Sequence, residues 1–202
     1  MSAMPERSPA APTTPASAFA DALHEWQALA PLLAAMTPSI TQLGEMMVEC
    51  WRGGGKVFFA GNGGSAADAM HFSEELVVRF KKDRRALAAI ALLDPTAITC
   101  AGNDMGYEHI FARQVDALGR PGDLFCGLTT SGNSPNVIAA MEMARRHGLK
   151  TCGFIGGSGG KALALCDVAI HVPSSTTARI QEVHKLVFHA LCVWIDEVAA
   201  TI

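Results

Sequence analysis

The sequence is poor in charged residues and has no excess of positive charge. Only 17% of its 202 residues are Asp, Glu, Lys or Arg and half are apolar, which excludes a disordered chain. Lys and Arg number 16 against 19 Asp and Glu, which gives a formal net charge of −3. We therefore predict no nucleic-acid partner and no anionic membrane surface, because binding to either depends on clustered positive charge.

Long apolar runs and an export signal are also lacking. The apolar run near the middle of the chain, ALAAIALL, is far shorter than the about 20 residues that a membrane-spanning helix needs. The first residues, MSAMPERSPAAPTTPAS, have neither the basic start nor the apolar core of a signal peptide. We therefore expect no membrane association and a cytoplasmic location.

Paired cysteine motifs are absent, although the chain has six cysteines. The closest two, Cys152 and Cys166, are 14 positions apart, so no C-x-x-C motif exists. This spacing argues against zinc ribbons and thioredoxin-type redox sites. Without an export signal, the cysteines are expected to be small buried hydrophobic residues in a reducing compartment.

The organisation along the chain predicts an α/β fold. Residues 1–17 hold four of the ten prolines and are predicted to be a flexible tail, and 18–202 a single domain. Helices are predicted at 18–36, with a kink at Pro31, and at 37–52, with Thr37 as N-cap. Strands are predicted at 56–60, 88–93, 123–128, 150–155 and 168–172. Helices are predicted at 65–80, 107–118, 134–147, 160–165 and 177–199.

Alternating strands and helices with nearly continuous apolar strands indicate a three-layer αβα sandwich around a mostly parallel five-stranded sheet. The two N-terminal helices either complete the core or serve subunit assembly, and the sequence favours neither role. In such sheets ligands bind beyond the carboxyl ends of the strands. The loops that follow strands are therefore the candidate sites.

Two of these loops have the chemistry of anion sites. GNGGS, residues 61–65, is glycine-rich, and Ser65 with Asp68 three residues later suggests a helix N-cap. TTSGNSPN, residues 129–136, offers four hydroxyls, and Ser134 followed by Pro135 is typical of a helix start. Backbone N–H groups at a helix N-terminus attract anions such as phosphate.

The glycine-rich loop also resembles nucleotide-binding motifs, but only loosely. No G-K-[ST] follows, which argues against a nucleoside triphosphate with magnesium. GNGGSA fits the dinucleotide pattern G-x-G-x-x-A, and Asp94 ends the next predicted strand as a ribose-binding acid would. Asp94 lies more than 30 residues beyond Gly61, whereas the usual spacing is about 20. NAD binding is therefore the less favoured interpretation.

Ionisable side chains that could perform catalysis lie on two predicted helices. His71 and Glu75 are four residues apart and share a helix face, while Glu74 points about 100° away from Glu75. The last helix carries Gln181, His184 and His189. Gln181 and His189 are eight residues apart, about 12 Å along the helix axis, so His184 is the easier partner for Gln181 unless a neighbouring subunit contributes. Helix geometry alone leaves this choice open.

Four motifs in order, GNGGSAADAMHFSEEL, GND, TTSGNSPNVIAA and ARIQEVHKLVFH, closely resemble those of the phosphoheptose isomerases of the sugar isomerase (SIS) family. The resemblance covers about residues 20–200. It implies a cytoplasmic homotetramer that interconverts sedoheptulose 7-phosphate and D-glycero-D-manno-heptose 7-phosphate, a precursor of lipopolysaccharide heptose. A sugar phosphate is thus the implied substrate.

The resemblance also implies roles for individual residues. Glu75 and His189 match the proposed acid–base pair, and this analogy favours His189 over His184. The residues that match a zinc site, with one Zn²⁺ per subunit, are His71, Glu75, Gln181 and His189. The residues that match or adjoin substrate and phosphate contacts are Asn62, Gly63, Gly64, Ser65, Glu75, Asn103, Asp104, Thr129, Thr130, Ser131, Ser134 and Gln181.

The chain departs from the family pattern at three places: the Pro-rich tail, the glycine-rich loop GGSGG at 156–160, and Ala178. Relatives carry an acid near the sugar at the position of Ala178. The family also contains a non-catalytic regulator that binds a replication initiator protein, and this is the alternative function. That regulator lacks the counterparts of Glu75 and His189, so the presence of both here favours the isomerase.

Overall fold

The structure, a computed structural model, describes residues 14–202. Its α-helices are α1 Pro15–Leu29, α2 Thr37–Arg52, α3 Gly64–Val77, α4 Pro95–Asp104, α5 Ala112–Leu118, α6 Pro135–Arg146 and α7 Thr177–Val198. Its strands are β1 Val57–Gly61, β2 Ala89–Ala91, β3 Leu124–Thr129, β4 Lys150–Ile155 and β5 Val168–His171. Short 3₁₀ helices occupy Ala30–Met36, Tyr107–His109, Lys161–Leu165 and Ala199–Thr201.

The five strands form one sheet in the order β2-β1-β3-β4-β5, and all neighbouring pairs are parallel. Every residue of β1 and β3, the central strands, is buried. This burial on both faces explains why the strands are continuous apolar segments rather than alternating ones. The predicted strands are confirmed in number and in their places along the chain, although β2 is only three residues long.

Two separate apolar cores lie on the two faces of the sheet. Val57 and Phe59 face a core with α2, α3 and α7. Phe58 and Ala60 face the other core, with α4, α5 and α6. Successive side chains on a strand point to opposite faces, so each strand contributes to both cores. The predicted three-layer sandwich is confirmed.

The N-terminal predictions need correction. Helix α1 begins at Pro15, with Thr14 as N-cap, so the last three residues of the predicted tail are helical. The rest of that tail lies outside the described residues. The predicted 18–36 helix ends at Leu29 and continues as a 3₁₀ helix that contains Pro31, because proline removes a backbone donor. Helix α2 begins at Thr37, which was predicted to be its N-cap, so the N-cap is Met36 and the helix starts one residue earlier than predicted.

Helix α4 is a feature that the sequence analysis missed, since no helix was predicted between the strand at 88–93 and the helix at 107–118. Asp94 caps this helix, and its carboxylate accepts the backbone N–H of Ala97 at 2.8 Å. Pro95 at the first helical position favours the same start. A short strand therefore leads directly into a capped helix.

The cysteines are all free thiols, and Cys50, Cys126, Cys152 and Cys192 are buried, as expected. Cys100 is exposed and Cys166 is half-buried, which corrects the expectation for those two. Among the described helices, none combines the length and the apolarity that crossing a membrane requires.

His184 is part of the core. Its side chain is fully buried, packs edge-on against Phe154, and places Nε2 3.4 Å from the carbonyl oxygen of Ile155. Burial lowers the pKa of His184 to about 4, because the imidazolium would lose its hydration there. The side chain is therefore neutral at pH 7.

We predict that protonation of His184 destabilises the fold in mild acid. The folded-state pKa of about 4 lies below the ordinary value of 6.5, so the unfolded chain binds the proton more strongly between these values. The free energy of unfolding should fall as the pH drops from 6.5 to 4, by about 3 kcal/mol from this group. Denaturant unfolding across this pH range, at fixed protein concentration, measures the slope.

His184→Gln should flatten that slope, since glutamine does not titrate. His24→Gln, at an exposed position on α1, is the control for loss of an imidazole elsewhere. Equal slopes for His184→Gln and the unmodified protein would contradict the assignment.

Candidate active site

The candidate loops meet at one edge of the sheet. Strands β1 and β3 are neighbours, and β1 leads to β2 on one side while β3 leads to β4 on the other. The strand order reverses there, and the crevice at such a point is the usual ligand site of an open parallel sheet. Asn62 follows β1 and Thr130 follows β3, so both loops open into this crevice.

The loop after β3 is held in a defined shape by its own side chains. The hydroxyls of Thr129 and Ser134 are 2.8 Å apart, and the hydroxyl of Ser131 accepts the backbone N–H of Asn133 at 3.1 Å. Ser134 is the N-cap of α6, as predicted, but its hydroxyl contacts Thr129 rather than the helix backbone. The hydroxyl-bearing residues, Thr129, Thr130, Ser131 and Ser134, thus precede a helix N-terminus.

The unusual glycine content of 156–160 has a packing cause. Gly132 has φ +67°, and a β-carbon there would collide with the carbonyl oxygen of Gly159. The backbone of Gly132 also accepts the N–H of Ala162 at 2.9 Å. The GGSGG loop therefore braces the loop after β3 by direct backbone contact, which side chains would prevent.

The loop after β1 differs from its prediction at the helix start. Helix α3 begins at Gly64 with Gly63 as N-cap at φ +55°, so Ser65 is a helical residue and not the cap. Ser65 is buried, and its hydroxyl accepts the Gln181 amide at 3.3 Å. A β-carbon on Gly64 would lie 2.7 Å from the Gln181 amide nitrogen, so a larger residue there would displace the end of the Gln181 side chain from its present position.

His71, Glu75 and His189 come together between α3 and α7. One potential ligand atom from each lies within 4.8 Å of the others. His71 Nε2 is 3.0 Å from Glu75 Oε1, and the rings of His71 and His189 are 5.2 Å apart. Glu75 Oε2 has no hydrogen bond from the described residues. The structure therefore selects His189, not His184, as the imidazole opposite His71.

His189 fits a metal ligand. Its Nε2 is buried and has no hydrogen-bond partner among residues 14–202. Burial, and then the neighbouring His71, lower the pKa of His189, so the ring is neutral at pH 7. A neutral imidazole with a free nitrogen, beside a second imidazole and a carboxylate, is a donor set that suits a divalent transition metal.

Gln181 lies apart from these three residues. Its amide contacts Gly64 and Ser65 at the start of α3, whereas His71 is seven residues further along the same helix, about 10 Å. Its place in the predicted metal site stays a prediction. The bond to Ser65 instead links α7 to the loop after β1.

A groove of about 560 Å³ runs between α3 and α7, within the size range of ligand pockets. The two helices run side by side in the same direction, and Phe72 stacks on Phe188 between them. Trp26, Asp68 and Lys185 line the groove beside His189 and were missed in the sequence. Helical spacing could have identified Lys185, because positions 181, 185 and 189 form one i, i+4 ridge on α7.

A buried ion pair joins the C-terminal ends of α3 and α7. Arg84 donates to Asp196 at 2.9 Å and also to the carbonyl oxygens of Glu75 and Leu76 at the end of α3. Burial alone would raise the pKa of Asp196, but the backbone N–H groups of Lys82 and Lys81 and the Arg84 guanidinium together lower it. The pair holds the backbone of Glu75 against the helix that carries His189.

Asn103 and Asp104 are exposed at the end of α4, and their side chains bond to each other at 2.7 Å. Tyr107, three residues later, connects this segment to the loop after β1 by a 2.9 Å bond to Asn62. Asp94, the acid of the NAD interpretation, is engaged in capping α4. The dinucleotide interpretation therefore loses its ribose-binding group.

Comparison with known proteins identifies the family. The family model of the SIS domain matches residues 24–156. The phosphoheptose isomerase of Paramagnetospirillum magneticum is 50% identical over 175 residues, which is 86% of this chain and 91% of that protein. The solved phosphoheptose isomerase of Francisella tularensis superposes with a TM-score of 0.88 at 38% identity, over 92% of this chain and 100% of that one.

The solved phosphoheptose isomerase of Neisseria gonorrhoeae superposes with a TM-score of 0.82 at 42% identity, over 91% of this chain and 97% of that one. The chain belongs to the SIS domain family. Within that family it belongs with the phosphoheptose isomerases, which confirms the resemblance seen in the four motifs.

We predict that Asp196→Asn destabilises the protein by about 3 kcal/mol, because it leaves the buried Arg84 guanidinium without its counter-charge. The folded pKa of Asp196 lies below 3.8, so this contribution is present at neutral pH and is lost only as the pH falls through that folded value. Chemical denaturation at pH 7 measures the loss.

Glu197→Gln is the matched control. Glu197 is the next residue and pairs with Lys82 at 2.6 Å, but both side chains are more than half exposed. Exposed pairs contribute little, so this variant should unfold as the unmodified protein does. Similar unfolding curves for the two variants would show that the buried pair is not needed.

Proposed function

We propose that the protein is an aldose–ketose isomerase that converts sedoheptulose 7-phosphate to D-glycero-D-manno-heptose 7-phosphate. This supplies heptose for lipopolysaccharide precursors. The observation that carries the proposal is the convergence of His71, Glu75 and His189 between α3 and α7, beside a groove that His189 lines, in a chain that belongs with the phosphoheptose isomerases. The presence of both Glu75 and His189 favours catalysis over the non-catalytic regulator.

The phosphate end of the substrate binds where two loops open at the sheet edge. Thr129, Thr130, Ser131 and Ser134 supply hydroxyls, and the N-terminus of α6 supplies a favourable dipole. Asn62, Gly63 and Gly64 contribute from the loop after β1. Binding of the remote phosphate holds the reacting carbons in register without contacting them.

The proton transfers use Glu75 and His189. Isomerisation moves a proton between C1 and C2 through an enediol, so it needs a base near the carbon and an acid near the oxygens. Glu75 Oε2 is the free carboxylate oxygen and removes and returns the carbon proton, while His189 transfers protons at the oxygens. Each such general acid–base contribution is typically about 10²- to 10⁴-fold in rate.

Zinc is the proposed cofactor, one ion per subunit, held by His71, Glu75 and His189, with Gln181 as the further ligand that the family pattern implies. The unpartnered Nε2 of His189 and the neutral state of its ring support this assignment. A bound zinc ion supplies Lewis-acid polarisation of a carbonyl and stabilisation of developing negative charge.

We further propose a cytoplasmic homotetramer. Apolar side chains that a monomer would expose occur on the N-terminal helix, where Phe19 is 71% and Leu23 47% exposed, and on α7, where Leu186 and Trp194 are exposed. Exposed apolar side chains grouped on helices are characteristic of subunit contacts. This supports the assembly role of the N-terminal helices over a purely core role.

Glu75→Gln should reduce turnover of sedoheptulose 7-phosphate at least 10³-fold without loss of folding, because an amide has no basic oxygen for the carbon proton. Direct incubation with sedoheptulose 7-phosphate, followed by NMR for the aldoheptose 7-phosphate, measures the reaction. Formation of this product by the unmodified protein is the primary test of the proposed function.

Glu74→Gln is the control, since Glu74 is exposed and adjacent on the same helix. It should retain full turnover. If Glu75→Gln isomerises at the unmodified rate, a different base removes the carbon proton.

Removal of the metal should abolish activity reversibly. Chelator treatment should lower both bound zinc, measured by elemental analysis, and turnover, and added zinc should restore both. His71→Asn and His189→Asn should each lose bound zinc because each removes one of the three converging ligands.

His24→Asn, which changes an exposed histidine on α1, should retain one zinc per subunit. A full complement of zinc in both site variants would refute the proposed ligands. If the chelator does not change turnover, zinc is not needed for the isomerase activity.

A further inference from the structure

Two asparagines and a tyrosine form a closed hydrogen-bond network at the sheet edge. Asn62 follows β1, and Asn136, which is fully buried, lies in the first turn of α6. Their carboxamides form a reciprocal pair: Asn62 Nδ2 donates to Asn136 Oδ1 at 2.9 Å, and Asn136 Nδ2 donates to Asn62 Oδ1 at 2.7 Å. The Tyr107 hydroxyl donates to Asn62 Oδ1 at 2.9 Å.

The direction of every bond in this network follows from one backbone group. The N–H of Val137 points at a side-chain atom of Asn136 at 2.9 Å, and a backbone N–H can only donate. That atom of Asn136 must therefore be its oxygen, and the other must be its nitrogen. The nitrogen of Asn136 then requires an oxygen on Asn62, which fixes the orientation of the Asn62 amide as well.

Only one hydrogen-bonding group of the Asn62 side chain is then left for a ligand. Its oxygen has two lone pairs, and both are occupied, by Asn136 and by Tyr107. Its nitrogen has two N–H groups, and one is donated to Asn136. The second N–H has no acceptor among the described residues. Toward a ligand, Asn62 can donate a hydrogen bond but cannot accept one.

The same network joins three connections of the fold. Asn62 belongs to the β1–α3 loop, and Asn136 to the end of the β3–α6 loop that carries the hydroxyls. Tyr107 lies on the 3₁₀ helix between α4 and α5, just beyond Asn103 and Asp104. Each connection carries residues that the family pattern assigns to the substrate. Their relative positions therefore depend on the side chain of Asn62.

We infer that Asn136 and Tyr107 are positioning residues that hold the Asn62 side chain in place, so that the substrate contact which the family pattern implies for Asn62 is made as a donor, through its one free Nδ2–H. The inference rests on the proposed function for the identity of the ligand. The network itself is a property of the free protein, and it is tested separately.

The donor assignment is tested with Asn62→Asp and Asn62→Ala. Aspartate has the same shape but places an anionic oxygen where the N–H was, so kcat/KM for sedoheptulose 7-phosphate should fall about 100-fold or more. Alanine only removes the bond, and should lose about 10-fold. If Asn62→Asp is as active as the unmodified protein, or more active than Asn62→Ala, then Asn62 accepts rather than donates. Thermal unfolding confirms that both variants are folded.

The positioning role is tested with Tyr107→Phe, which removes one exposed hydroxyl and keeps the ring. KM should rise about three- to tenfold with little change in kcat, because a binding contact is loosened while the acid–base groups are untouched. In the double variant with Asn62→Ala, the second change should add nothing, since Tyr107 acts through Asn62. If the effects of the two substitutions on kcat/KM multiply in the double variant, Tyr107 does not act through Asn62 and the positioning role is wrong.

A ligand-free measurement separates this inference from the proposed function. Hydrogen exchange of the backbone amides at 103–111 should be faster in Tyr107→Phe and in Asn62→Ala than in the unmodified protein. If hydrogen exchange at 103–111 is unchanged in both variants, the network does not hold this segment in place. If the unmodified protein does not turn over sedoheptulose 7-phosphate, the proposed function and the substrate contact of Asn62 are both wrong. The hydrogen-exchange result would still decide whether the network holds residues 103–111 in place.

Discussion

The parallel packing of α3 against α7 is the constraint on which the site depends. The stacked rings of Phe72 and Phe188, 3.8 Å apart, set the separation of the two helices on one face of the sheet. The Asp196–Arg84 pair joins the C-terminal ends of the two helices, and the bond from Gln181 to Ser65 joins their N-terminal ends. An error of one ångström in this packing would separate the imidazole of one helix from the imidazole and carboxylate of the other.

The chemistry is divided between two parts of the fold. The helix pair carries the ionisable groups, whereas the sheet edge carries neutral donors and hydroxyls. Gly64 belongs to both, because it begins α3 and lines the groove while its loop opens at the strand ends. A ligand with an anionic end and a reactive end several ångströms away matches this division. A sugar phosphate, the substrate class of the phosphoheptose isomerases, has this form.

The sequence predicted the number of strands, their positions along the chain and the shared face of His71 and Glu75 better than it predicted helix starts. Buried parallel strands are continuous apolar runs, so β1 and β3 were visible, as was the shared face of His71 and Glu75. Helix α4 was missed because its glycine and asparagine have low helix propensity, and the Asp94 cap and tertiary contacts outweigh that. Spacing alone could not choose between His184 and His189, because the choice depends on which side of α7 meets the sheet.

The contact between Gly132 and Gly159 has a consequence for how the sugar phosphate arrives. The backbone of the proposed phosphate loop is already seated against its neighbour, so little chain entropy remains to be lost when a ligand enters. Capture should then follow diffusional encounter without a waiting step for a flap to shut. Aldose and ketose carry the same phosphate, so both should be held at that end by the same contacts.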